Sequence, residues 1–225
     1  MITAVQKPFS EIYETVKEYK NLLVLGCGTC VTVCMAGGDK EVKILGSALR
    51  LANKQNGIGM NVFEDTIERQ CDREFFEDAA VVEAFERADA VLSMACGVGV
   101  QYASEVFPGK RVIPALNTKF YGTNLEQGIW GERCAGCGDC VLERFGGVCP
   151  VARCSKSLLN GPCGGSQDGM CEVDPDNIEC GWQLIYDRLK ELGMLERLEE
   201  NEPVKDWSTG RDGGPAKIVK KDMVL

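Results

Sequence analysis

No histidine occurs anywhere in this sequence of 225 residues. That absence removes His-ligated haem, Cys2His2 zinc, Rieske-type ligation and every Ser-His-Asp or Cys-His catalytic arrangement at once. Aromatic residues are sparse, at 7%. No uninterrupted run of about eighteen apolar residues exists, so nothing reads as a membrane-inserted span. The stretch MITAVQKPFSEIYETVKEYKNLL carries charges throughout and lacks the apolar run and small-residue cleavage site of a secretory signal. The expected location is the cytoplasm. Basic stretches are missing too: 25 Lys and Arg against 34 Asp and Glu leave a formal net charge of -9, which argues against nucleic acid as a partner.

Cysteine is what the chain has instead. Of thirteen cysteines, eight fall between Cys134 and Cys180: CAGCGDCVLERFGGVCPVARCSKSLLNGPCGGSQDGMCEVDPDNIEC. A glycine-rich segment with so few large apolar residues needs cross-links of some kind. In a reducing compartment clustered thiols read as metal ligands or redox groups, not as disulfides. Cys134, Cys137 and Cys140 form an unbroken C-x2-C-x2-C, the first three positions of the bacterial ferredoxin run, and Cys149-Pro150 adds a Cys-Pro step. The match departs from ferredoxin in its spacing, since eight residues separate Cys140 from Cys149. Structural zinc usually takes its ligands as separated pairs, so the triple favours iron-sulfur. The expected division gives Cys134, Cys137 and Cys140 a fourth partner in Cys180, leaving Cys149, Cys154, Cys163 and Cys171 for a second site.

Upstream of this block the pattern is alternating strand and helix. Phe9, Ile12, Tyr13 and Val16 mark a short amphipathic helix over 9–20. Strands are expected at 22–26, 57–63, 88–95 and 111–116, with helices at 37–54, 73–88 and around 98–106 between them. Such alternation implies an α/β fold with a doubly wound parallel sheet of Rossmann-like type over residues 1–125. A small Cys-rich, ferredoxin-like metal domain with a helix over 181–200 would follow at 126–200, and an extended tail at 201–225. Residues 117–131, polar and glycine-bearing, read as the connection between the domains. The tail reads as disordered or as an arm laid on a partner, with Trp207 and Val224-Leu225 as anchors.

The five remaining cysteines sit at strand ends. Cys27 follows the first strand, with Cys30 and Cys34 in the turn after it; Cys71 follows the second strand and Cys96 the third. In an open parallel sheet the carboxyl ends of the strands form the ligand crevice, so four of these five thiols would build a further site there, with Cys34 or Cys30 left out. The turn Gly26-Cys27-Gly28-Thr29-Cys30-Val31 starts like a dinucleotide loop but has Val31 where the third glycine belongs. No catalytic or organic-cofactor-binding residue is identified.

Several segments also resemble a known family. Cys149-Pro-Val-Ala-Arg-Cys154-Ser-Lys156, Asn160-Gly-Pro-Cys163-Gly-Gly, Gly169-Met-Cys171-Glu and Cys180-Gly-Trp182 resemble the methylenetetrahydrofolate reductase C-terminal domain family. GCGTCVTVCMAGG, RQCD and ACGVG resemble the companion half of the same proteins. The resemblance implies a small iron-sulfur subunit of a two-subunit reductase in anaerobic one-carbon (Wood-Ljungdahl) metabolism. It further implies a separate flavin-containing methylenetetrahydrofolate reductase catalytic subunit as partner, with ferredoxin or another redox subunit as electron donor. Two to three [4Fe-4S] clusters are then expected, with zinc open at one site and little reductase activity in the chain alone. The alternative is a non-redox subunit of the same reductase in which zinc fills the sites and the chain acts as a scaffold.

Overall fold

The structure is a computed structural model, described here for residues 1–223. It is a mixed α/β protein of two compact units, Met1–Trp130 and Gly131–Leu225. The anchor positions Val224-Leu225 lie outside the described residues.

The first unit opens with β1 (Ile2–Gln6) and α1 (Phe9–Val16). It continues through β2 (Asn21–Cys27), α2 (Cys30–Val33), α3 (Asp39–Asn56) and β3 (Asn61–Ile67). A 3-10 turn at Arg73–Phe76 leads to α4 (Ala79–Arg87), β4 (Ala90–Ser93), α5 (Gly97–Val106) and β5 (Arg111–Pro114). β2 through β5 form one sheet in the order β3-β2-β4-β5, with every pair parallel. β2 is buried along almost its whole length, as a central strand covered on both faces must be. Its alternate residues serve two cores. Leu22 and Val24 pack with Ile12 and Val16 of α1 and with Leu45 and Leu49 of α3. Leu23 and Leu25 face the other way, toward Phe76, Phe85 of α4 and Ala103 of α5. Helices therefore cover both faces of the parallel sheet.

Several boundaries differ from the sequence-based expectation: α1 ends at Val16 and not at residue 20, and β4 covers Ala90–Ser93 of the expected 88–95. The second strand begins at Asn61, not at residue 57, because Gly57 takes a left-handed conformation (φ 67°) and caps α3. It then runs on through the polar Glu64, Asp65 and Thr66, which an edge strand tolerates. The helix expected over 73–88 is broken: Asp78 accepts a hydrogen bond from the Ala80 N–H and starts α4 afresh. Among the strands not expected from sequence are two that show no run of alternating burial. These are β1 and β6 (Leu116–Glu126), which pair antiparallel from Ile2 opposite Tyr121 to Gln6 opposite Leu116. The segment read as a connection is thus largely strand, and with β7 (Ile129–Cys134) it completes a sheet of order β1-β6-β7.

The second unit holds α6 (Pro150–Arg153), an antiparallel pair formed by β8 (Met170–Cys171) and β9 (Asp174–Glu179), and α7 (Gly181–Leu192). Its core is small: Phe145, Cys180, Trp182, Ile185 and Leu189. α7 stops earlier than residue 200 because Gly193 (φ 68°) caps it, leaving Leu195 in a separate 3-10 turn. The tail is not a free arm where it passes the first three cysteines of the block. Lys205, with a side chain only 2% exposed, donates to the Asp139 carbonyl at 2.6 Å, and the Thr209 hydroxyl donates to the Cys137 carbonyl at 3.0 Å. Gly138 (φ 83°) lies so close to Thr209 that a Cβ there would meet its carbonyl oxygen at 2.1 Å. Among the described residues no helix is long and apolar enough to cross a membrane.

Candidate metal centres

Thiols from three separate links meet at the carboxyl edge of the parallel sheet. Cys27 ends β2, and its N–H donates to the Gly37 carbonyl at 3.0 Å, folding the 28–37 turn back over the strand end. That return is tight: a Cβ on Gly37 would stand 1.8 Å from the Met94 carbonyl oxygen, so only glycine fits. Cys30 opens α2, and Cys96 is the residue from which α5 starts, directly after β4. β2 and β4 are adjacent in the sheet, and the chain leaves them for helices on opposite faces, which opens the crevice between their ends.

Cys71 comes in from the link after β3. Burial pushes its thiol pKa up, and the neighbouring thiols of Cys27, Cys96 and Cys30 push it further. The residue before it explains why it stays there. Gln70 is fully buried, and its Nε2 donates to the Leu25 and Gly26 carbonyls of β2 at 2.9 and 3.0 Å. Its Oε1 accepts from the Ser93 hydroxyl of β4 at 2.7 Å. One amide thus pins the Cys71 loop to the ends of both central strands. Nothing in the sequence beyond a glutamine beside a cysteine could have singled it out.

Cys34 shares an apolar cluster with Cys27 but is bonded to β1. Its sulfur accepts from the Ala4 N–H at 3.5 Å and donates to the Ala4 carbonyl at 3.6 Å, and it packs with Val31, Ala36 and Leu116. Burial raises its pKa, so the neutral thiol is favoured there. Of the two residues expected to be spare, Cys34 is the one that behaves as a core side chain.

In the second unit, Cys154, Cys163, Cys171 and Cys180 line a single small cavity together with Lys156, Glu172 and Trp182. Cys180, expected with the triple, lines this cavity, and Cys149, expected here, is not among its lining residues. β8 and β9 bring Cys171 and Cys180 to the two ends of one short hairpin, and Gly181 packs so closely on Arg153 that a Cβ would meet its carbonyl oxygen at 2.4 Å. The Ser155 hydroxyl 3.3 Å from Cys171 Sγ, with the backbone N–H groups beyond it, holds that thiol below its ordinary pKa. Lys156 pairs with Glu172, which accepts from Cys163 Sγ at 3.4 Å.

The remaining four are Cys134, Cys137, Cys140 and Cys149. The Gly136 N–H donates to Cys134 Sγ at 3.4 Å, and the Ala152 N–H donates to Cys149 Sγ at 3.4 Å, where Cys149 caps α6. Cys137 carries the loop that Thr209 and Gly210 cover.

Among the described residues, no three cysteine, aspartate or glutamate side chains are gathered as a set that could hold a metal ion as they stand. The donor chemistry nevertheless fits a soft, thiophilic metal group. The sets are all sulfur, a cation stands beside one of them, and backbone N–H groups point at Cys134 and Cys149 in another. No carboxylate cage or imidazole competes.

These features define a thiol-rich α/β protein whose cysteines are grouped at a sheet edge, in a loop and in a cavity. Residues 113–208 match the family model described as "Methylene-tetrahydrofolate reductase C terminal", the family that the cysteine motifs of this stretch resemble. Neither the curated proteins nor the solved structures provide a match to the chain.

Proposed function

We propose that the chain is the electron-transferring iron-sulfur subunit of a methylenetetrahydrofolate reductase, working with a separate flavin-containing catalytic subunit. The observation that carries this reading is that Cys154, Cys163, Cys171 and Cys180 line one small cavity, while Cys71 stands near enough to Cys27, Cys30 and Cys96 to feel their charge. Cys27, Cys30, Cys71 and Cys96 would hold one group at the Rossmann-like sheet edge. Cys154, Cys163, Cys171 and Cys180 would hold a second. Cys134, Cys137 and Cys140, with Cys149 as the fourth ligand left by elimination, would hold a third in the ferredoxin-like loop. Bound [4Fe-4S] groups supply one-electron steps at potentials set by their surroundings.

The chain's own residues perform three tasks in this scheme. Gln70 and Ser93 fix where Cys71 stands. Ser155 favours the thiolate of Cys171 in the cavity. Lys205 and Thr209 cover the Cys137 loop against water, a covering that keeps an exposed centre from side reactions. Reduction of the folate would fall to the partner, with ferredoxin or a similar redox subunit as the donor in a reducing cytoplasm.

The test is made on the full chain purified without oxygen. The expected result is about twelve irons, in three cubanes of four, and a broad absorbance near about 400 nm that dithionite bleaches. Cys96→Ala should remove about four irons, whereas Cys34→Ala should remove none. With reduced viologen, methylenetetrahydrofolate reduction should need the flavin subunit. A colourless protein containing zinc would replace this reading with the scaffold one.

A further inference from the structure

One buried donor beside the sheet-edge thiols has no partner. The Trp130 side chain is half-buried, its indole Nε1 is shut off from solvent, and among the described residues no acceptor bonds it. An indole nitrogen only donates, so no turn of the ring lets it serve as an acceptor instead. Buried N–H groups left unmet are rare and costly, and each one calls for a cause.

The place of the ring supplies that cause. Trp130 is the second residue of β7, in the sheet that also holds β1 and β6. It packs on the cluster formed by Ala4 of β1, Leu116 of β6, Cys27, Val31, Cys34, Ala36 and Ala95, and Cys96 packs on the same cluster. Two of the four thiols assigned to the sheet edge, Cys27 and Cys96, therefore share its surroundings. The side chains of this cluster are apolar or sulfur-bearing, so the side-chain acceptor open to the ring there is sulfur. Sulfur already accepts a hydrogen bond in the cluster, from the Ala4 N–H to Cys34 Sγ at 3.5 Å. The thiols as they stand do not reach the indole. Arg69 Nε is buried and unpaired too, but its guanidinium lies 5.0 Å over the Phe75 ring, which packs on the other core with Phe76 and Phe85. Trp130 is thus the donor on the β1 side.

We infer that the Trp130 indole N–H donates to sulfur of the group held by Cys27, Cys30, Cys71 and Cys96 and raises its reduction potential. The inference rests on the iron-sulfur reading of that edge and deepens it. Reduction by one electron adds one negative charge to such a group and moves no proton. A donor aimed at its sulfur stabilises that charge, and hydrogen bonds to sulfur are among the features that set these potentials. Trp130 is a tuning residue and not a ligand, so its loss should change the potential and leave the iron in place.

The test uses the full chain purified without oxygen, with iron and zinc counted first. Trp130→Phe keeps a flat ring and removes the N–H. It should hold the wild-type iron content, about twelve per chain. In a dithionite titration followed by electron paramagnetic resonance, the equilibrium constant for reducing one of the three groups should fall about tenfold, which is about 59 mV for a one-electron couple. The other two should not move, and the group that shifts should be the one missing from Cys96→Ala. A second measurement needs no Trp130 variant. Wild-type protein carrying isotope-labelled indole nitrogen is reduced and studied by electron-nuclear double resonance. A nitrogen coupling and an exchangeable-proton coupling should appear. Because Trp182 lines the four-thiol cavity, only a coupling that Cys96→Ala abolishes is assigned to Trp130. If Trp130→Phe loses iron, this coupling decides. Full iron with unshifted potentials in Trp130→Phe, or no such coupling in wild-type protein holding about twelve irons, overturns the inference and leaves the iron-sulfur reading intact. Iron near about eight in the wild type, or zinc in place of iron, overturns the reading of the edge and the inference with it.

Discussion

Gln70 shows what a single buried amide does for this protein. Its side chain satisfies two carbonyls at the end of β2 and one hydroxyl at the end of β4, inside a site otherwise built from sulfur and small apolar groups. Leucine would fill similar volume and satisfy none of them. Gln70→Leu is therefore expected to lower unfolding stability by about 3 kcal/mol, the scale of unsatisfied buried polar groups, as read by urea denaturation. It should also leave the Cys71 thiol more reactive toward an alkylating reagent, because the loop is no longer tied down. An unchanged midpoint and unchanged alkylation rate would remove Gln70 from its positioning role. The same scale separates Cys34 from its neighbours. Spacing placed it beside Cys27 and Cys30, but only the contact with Ala4 of β1 reveals it as a core thiol, and β1 carried no pattern by which to predict that contact.

At the scale of elements, the parallel strands were legible because their apolar runs are continuous and lie between amphipathic helices. β6 was not, because its residues are largely exposed on both faces and nothing in their order announces a partner 114 residues earlier, as in the pairing of Thr118 with Ala4. The cysteine positions were readable for the same reason as the strands, since each follows a recognisable strand end or a close-spaced motif. That Cys180 lines one cavity with Cys171 was not readable, because the β8–β9 hairpin that sets where both stand is made largely of polar residues. The contacts of the tail with the Cys137 loop were not legible, because polarity and lack of period describe a disordered segment and a covering strap equally well. Ending the chain at Val204 would remove Lys205 and Thr209 from the Cys137 loop. Backbone amides of residues 134–140 should then exchange faster with solvent, and iron should fall by about four per chain. Full iron content and unchanged exchange in the shortened chain would show that the strap is dispensable.

For the whole molecule, charge is the property that reaches furthest. The formal net charge of -9 counts every thiol as neutral. Three cubanes held by twelve thiolates would each add about -2, bringing the loaded chain to about -15. A redox partner that docks quickly should therefore present a basic face, and its association rate should fall about tenfold between about 50 and 500 mM salt while dissociation changes little. A rate insensitive to salt, measured by stopped flow, would mean an apolar interface instead. The pairing of β1 with β6 bears on the order of events during synthesis. The first five-residue strand emerges from the ribosome with no sheet to join, and its partner residues, Leu116 to Tyr121, follow more than a hundred positions later. By then Cys27, Cys30, Cys71 and Cys96 have all been made, and the Ala4 backbone that shelters Cys34 is not yet anchored. For that interval the nascent edge carries five accessible sulfurs instead of four. Closing β1 against β6 withdraws the fifth, so the last strand to settle leaves the edge with four.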